Sequence, residues 1–237
     1  MFNVPWFSIS ANLKDKRESI PEIATRFVKL LDSLGQIDPL MSKWFSMMEG
    51  DSPTPLKPDV RMIETSLHYW ANRKTEDGSE PFYTFGATTN GYENVWRPDD
   101  LNIFLRAGTE QYNKIWFHTA LEVAPNPHLV SFSLFKKILF ATADAFDPKY
   151  SNAHPGALDR NFMMSKRNKL PIFAGWMVLL PRELASQITP PPQAIQQTRE
   201  DGSLFMAATD ETFDVNNPEH LTVSKAMQDA IEPINKW

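Results

Sequence analysis

The sequence predicts an α+β fold, a largely antiparallel or mixed central sheet with helices packed on it. Three observations point there. Ile20, Ile23, Ala24, Phe27, Leu30, Leu31 and Leu34 recur at helical spacing on one face. Between residues 82 and 123, runs of alternating apolar and polar residues follow one another with only turns between them, which favours an antiparallel meander. The run from Pro171 to Pro181 carries no charge. It is too short to span a bilayer, which needs ~20 apolar residues, and suits a strand buried on both faces. We expect that run to be the centre of the sheet, and the 237 residues to form one domain, 1–237.

In chain order, Phe7–Ala11 predicts a first strand. Ser19 is a candidate N-cap with Pro21 and Glu22 in the first turn, and Gly35 a candidate stop. Residues 41–48 are apolar and ambiguous, and 51–58 form a proline-rich loop. Asp59–Arg73 is helical in pattern. Phe82–Thr88 predicts a strand followed by a hairpin turn at Asn90-Gly91. Alternation resumes over Leu101–Arg106 and again over Ile115–Val123, ended by Pro125 and Pro127. A helix is expected from about 129 to 147, then a short strand from Tyr150, then a basic stretch over 159–169. In the uncharged run, Gly175 before Trp176 predicts a bulge or a close backbone approach, and Pro181 ends the strand. Ile195–Arg199 and Leu204–Ala208 flank a second hairpin at 200–203, and Pro218 opens a last helix.

Composition narrows the function. There is no cysteine, so disulfides, zinc-thiolate sites and thiol nucleophiles are excluded. Sixteen phenylalanines and seven tryptophans supply a large core. No secretory pattern occurs over Met1–Arg17 and no window is long enough for a transmembrane helix, so a cytoplasmic location away from the membrane is expected. The net charge is −5, but segments 75–100 and 199–219 each carry six acids against one arginine, leaving +5 elsewhere. Acid concentrated in loops argues against nucleic-acid binding there and for a basic partner.

Phosphate loops, dinucleotide fingerprints, HExxH pairs, nucleophile elbows and EF-hand ligand series are absent, so no cofactor or metal is expected. His118 and Glu122 fall on the same face of an alternating run, which allows a general base with an orienting carboxylate. Without a nucleophile beside them, a hydrogen-bonded strand histidine is the simpler reading. Asp210, Glu211 and Asp214 have the chemistry of a hard-cation site, but they precede a helix, where carboxylates cap N–H groups. The better candidates lie in the acidic segments: Glu76, Asp77, Glu80, Tyr92, Glu93, Trp96, Asp99, Asp100, Glu200 and Asp201, where aromatic residues sit among charge as interface anchors do.

Ala174-Gly175-Trp176-Met177-Val178-Leu179-Leu180-Pro181 resembles the GW-x-x-x-L strand of the immunity protein 52 family and its type VI secretion relatives. The segment Ala208–Asp214, then Asn217-Pro218-Glu219-His220-Leu221 and a final helix, resembles that family's ending. The second half matches well and the first half loosely. The resemblance implies a non-enzyme that binds and neutralises a cognate secreted toxin encoded beside it, a toxin of the restriction-endonuclease type, by occluding its active site. The alternatives are a small hydrolase or transferase using His118 and Glu122, or a non-catalytic secretion-system adaptor.

Overall fold

A computed structural model describes residues 5–46, 54–57, 59–71, 82–91, 95–110, 112–158 and 172–235. Ten strands form one sheet: β1 (Phe7–Asn12), β2 (Trp44–Ser46), β3 (Thr54–Leu56), β4 (Tyr83–Thr88), β5 (Leu101–Ala107), β6 (Lys114–Thr119), β7 (Tyr150–Pro155), β8 (Met177–Leu180), β9 (Ile195–Thr198) and β10 (Leu204–Ala207). Their order is β3-β2-β4-β5-β6-β1-β7-β8-β10-β9, and every strand pair is antiparallel. The fold is therefore α+β with an antiparallel sheet.

The uncharged run is not the centre. β8 is third from one edge, while β1 lies in the middle, paired to β6 on one side and β7 on the other. The reason is topological: β7 sends the chain back beside β1, and β8 can only add outside it. Two of the run's local expectations hold. Gly175 has φ +58° and its Cα lies so close to β7 that a Cβ would stand 2.7 Å from the Ala153 carbonyl oxygen. Trp176 is fully buried, its rings 5.3 Å from Phe135 and 6.0 Å from Phe7. All four residues of β8 are buried, as expected for a strand covered on both faces.

Helices α1 (Ile20–Ile37) and α3 (Phe132–Phe146) cover one face of the sheet, with α2 (Val60–Ala71) against α1 and β4. The seven apolar residues predicted for α1 are all buried. Glu22 accepts hydrogen bonds from the Ser19 N–H and hydroxyl, 2.9 and 2.8 Å, which fixes the helix start. Gly35 does not stop it. The helix runs to Ile37 and ends where Asp38 turns extended and takes the Leu40 N–H on its side chain. Ile9 and Ala11 from β1, Ile103 and Leu105 from β5, and Ile115 and Phe117 from β6 meet the helices, following the alternation in the sequence.

One ambiguous stretch is resolved and three further expectations are corrected. Residues 41–46 complete a 3₁₀ turn, Pro39–Ser42, and then form β2. Part of the proline-rich loop is a strand, β3, at the sheet edge where Pro55 costs no ladder bond. Asn90-Gly91 makes no tight hairpin. The β4–β5 connection runs from Thr89 to Asp100, because the Asn90 amide is engaged by Val95 and Asp100 instead of turning the chain. The alternation over 115–123 ends as a strand at Thr119, with bends beyond it. Pro171 and the basic stretch 159–169 lie outside the described residues.

Candidate functional site

Antiparallel pairing sorts the connecting loops between two ends of the sheet. At the upper end β1, β5 and β8 begin while β4, β6, β7 and β10 finish; the lower end is the converse. Of the candidate residues, Trp96, Asp99 and Asp100 are upper, in the loop before β5, whereas Glu200 and Asp201 are lower, in the β9–β10 hairpin. β5 and β10 are also five strand spacings apart, roughly 24 Å at ~4.8 Å each. The two groups do not form one patch. Glu76, Asp77, Glu80, Tyr92 and Glu93 lie outside the described residues.

Within the upper loop the two neighbouring aspartates do different things. Asp100 is only 4% exposed. Its Oδ2 accepts from the Arg97 N–H at 2.7 Å and from the Asn90 amide at 3.0 Å. Burial pushes its carboxyl above the usual range, against the pull of those two bonds. It is a strut inside the loop, out of a partner's reach. Asp99 is exposed, and one of its oxygens accepts from the Asn126 amide at 2.7 Å. The Asn126 N–H also donates to the Pro98 carbonyl at 2.8 Å, so this loop is tied to residues 124–130. That segment is tied in turn to the loop after β10 by the Thr212 hydroxyl, which donates to the Val130 carbonyl at 3.1 Å.

The loop after β10 is pinned from below and from the side. The Trp176 indole donates to the Thr209 carbonyl at 3.0 Å, and Phe213 is buried. The Asp214 N–H donates to His220 Nδ1 at 3.0 Å, which places that ring's own proton on Nε2 in the neutral form. His220 is buried and packs on Phe213, a structural part as the sequence suggested. Asp210, Glu211 and Asp214 are all exposed. Among the described residues no three acid or histidine side chains cluster as metal ligands. Asn217, not one of these acids, caps the C-terminal helix Pro218–Ile231.

The two ends differ in charge. Upper loops 95–100, 120–131, 155–158 and 208–219 hold seven acids and one arginine. Among the described residues Asp99, Glu122, Asp210, Asp214 and Glu219 make no ion pair, and Glu211 comes only within 3.7 Å of His220. Lower segments 13–18, 108–114, 144–149, 181–185 and 199–203 hold eight acids and seven lysines or arginines. There Lys14 pairs with Asp147, Lys149 with Asp15, and Arg199 with both Asp144 and Asp201. Asp201 also accepts from the Ser203 hydroxyl and N–H, at 2.6 and 2.9 Å, and these bonds hold its carboxyl below the usual range. Glu200 is exposed beside it.

Beneath the upper loop, on the sheet face opposite α1 and α3, runs a stack of rings. Phe104 of β5 lies parallel to Trp116 at 5.3 Å and to His118 at 5.4 Å, both on β6, and Trp96 tilts over His118 at 6.0 Å. Trp96, Phe104, Trp116 and His118 are all half-buried, and Val95 beside them is 58% exposed. Burial holds the His118 imidazole below its usual range, opposed by a 2.9 Å bond from Nδ1 to the Thr119 carbonyl. That bond uses the nitrogen an orienting carboxylate would need. Glu122 lies beyond the strand end, exposed, with no hydrogen bond to His118 among the described residues. The shared strand face on which the dyad was premised ends at Thr119.

Sequence reasoning missed the residues that assemble this end. Pro125 and Pro127 were legible only as strand terminators, and Asn126 between them as nothing. The available signal was the Pro-Asn-Pro spacing, which fixes a rigid turn with an amide free to bridge. Glu211 and Asp214 counted in the acidic segment but not among the candidate binding residues.

Comparison with known proteins adds lineage. The family profile described as immunity protein 52 matches residues 7–234, nearly the whole chain. No match is found among curated proteins. Among solved structures the chain is similar to the Pseudomonas aeruginosa T6SS protein PA0821, with a TM-score of 0.53 and 11% identity, covering 96% of this chain and 73% of that one. At that identity the likeness supports the fold alone. No helix among the described residues is long and apolar enough to cross a membrane.

Proposed function

The chain belongs to the immunity protein 52 family, and from that premise we propose that it binds and neutralises a cognate secreted toxin, a nuclease, by covering its active site with the upper end of the sheet. The observation that carries the reading is the contrast in charge. Among the described residues Asp99, Glu122, Asp210, Asp214 and Glu219 of the upper loops make no ion pair, and they stand on a cross-linked platform with Val95 and Trp96 exposed or half-exposed among them. A nuclease has to hold a polyanion, so its site is basic, and an acidic platform meets it by long-range attraction and then by close contact. The aromatic pair supplies the desolvated anchor that charge alone does not. PA0821, which shares the fold, is described as a T6SS protein, and type VI secretion is the delivery route proposed for the toxin here. The encounter takes place in the cytoplasm, where a nuclease finds its substrate. No catalytic step, metal or cofactor is needed for inhibition of this kind.

The test is co-expression of the toxin encoded by the adjacent reading frame with and without this chain, followed by purification of the pair. Protection and a stoichiometric complex are expected. Undiminished toxicity together with no association would overturn the reading. Toxicity that is relieved but shows no loss of DNA or RNA cleavage would overturn the nuclease part alone.

A further inference from the structure

The upper end also contains a cleft of about 580 Å³, within the ~300–1,000 Å³ typical of ligand-holding pockets. We propose that this cleft is the anchor pocket of the toxin interface and takes an apolar side chain flanked by lysine or arginine. The proposal rests on the immunity reading and goes beyond it by assigning where the toxin is gripped and what grips it. Four separate segments meet to form the walls, and they bring four prolines, Pro5, Pro125, Pro127 and Pro155. Proline has a fixed φ and little conformational freedom to lose, so the walls are set before a partner arrives. Phe7, Val130 and Phe213 form an apolar floor, all three buried in the core.

Among the described residues one charged group lines the cleft. Asp214 Oδ1 accepts from the Asn216 N–H and amide, at 2.8 and 3.1 Å, while its Oδ2 has no hydrogen bond among the described residues. A carboxylate oxygen left open on the rim of an apolar cleft selects a ligand with an apolar body and a cation beside it. The surrounding field points the same way, since Asp99, Glu122, Asp210 and Glu211 stand around this end without a lysine or arginine partner among the described residues. Anions and nucleic acid are repelled there, and a basic protein surface is attracted. An apolar pocket ringed by charge is the arrangement in which one inserted side chain dominates binding energy.

The experiment measures the dissociation constant for a catalytically inactive form of the adjacent-frame toxin by calorimetry, with circular dichroism melts of every variant. Ala124→Trp and Ala157→Trp plug the cleft from exposed positions on different segments. Asp214→Asn removes the charge and keeps both the volume and the oxygen that Asn216 uses. The tryptophan variants should weaken binding roughly 100-fold or more, and Asp214→Asn roughly tenfold with a shallower salt dependence. If the tryptophan variants melt like the wild type and bind like it, the cleft is not the anchor, and the immunity reading stands. Should either tryptophan variant fail to fold, Asp214→Asn decides, and unchanged affinity there overturns the proposal. If the wild type itself does not bind, the immunity reading falls and takes this inference with it.

Discussion

The described upper and lower loops carry nearly equal numbers of acids, seven above and eight below, yet among the described residues five of those below and none of those above pair with a lysine or arginine. At the lower end Asp15, Asp144, Asp147 and Asp201 are each held by a lysine or arginine, and Asp201 is further bound within its own turn. At the upper end Asp100 is folded inward, and the other six acids are exposed with no lysine or arginine paired to them among the described residues. Acid counted along the sequence is therefore a poor guide to acid available to a partner. Among the described residues, what distinguishes the ends is where the basic residues fall after folding. Lys14 between β1 and α1, Lys149 after α3 and Arg199 before β10 meet the lower loops and pair with four of their acids, whereas the described segments that meet above are rich in proline and asparagine.

The contrast can be broken from either side, beginning with the support beneath it. Trp176 packs on Phe7 and Phe135 and its indole holds Thr209, so Trp176→Ala should cost ~3–5 kcal/mol in chemical denaturation. Trp176→Phe should keep most of that stability and loosen the loop after β10, seen as faster amide exchange over 208–217. A loss in both variants with no change in loop protection would mean that the pin from Trp176 does not matter. Next comes charge. Reversal of Asp99, Glu211 and Asp214 to lysine should slow association with the toxin by roughly 10- to 100-fold and flatten its salt dependence. The same reversal of Glu200 and Asp201 should change the rate by less than about twofold, since that end is already balanced.

Asp100→Ala sharpens the division within the upper loop. It removes the side-chain acceptor of the Arg97 N–H and one of the two described acceptors of the Asn90 amide, and should cost ~1–3 kcal/mol of stability, with a smaller effect on the association rate than Asp99→Ala. The smallest effect is in pH. Because burial lowers the His118 pKa, the unfolded chain takes up a proton at higher pH than the folded chain does. Its share of stability is complete above about pH 6.5 and is lost as pH falls below that value. The melting temperature should fall slightly between pH 7.5 and 5.5, and His118→Phe, which preserves the stack on Phe104, should flatten the slope.

Much of the fold was legible because periodicity is local. The apolar stripe of α1, the alternation in β1, β5 and β6, and the Glu200–Ser203 turn all depend on neighbours in sequence. Strand order was not legible, since β1 becomes central only through pairings with β6 and β7 more than 100 residues away in sequence. Asn90-Gly91 misled because a ten-residue contact, from the Asn90 amide to Asp100, competes with the tight turn and prevails. The candidate site divided for the same reason. Trp96 and Asp99 were found by charge and aromatic content, but the same criterion also admitted Asp100, which is buried, and Glu200 and Asp201, which lie at the other end. The cleft had no linear signature, because its walls come from four segments spread between Pro5 and Asn216.

In the proposed complex the upper end alone meets the toxin. The most direct measurement is the association rate of the purified toxin with two triple or double charge reversals, Asp99/Glu211/Asp214 to lysine above and Glu200/Asp201 to lysine below, across a range of salt. The upper variant should lose much of its rate and salt sensitivity, and the lower one should associate at a near-wild-type rate. Equal effects at both ends, or a larger effect below, would contradict that placement.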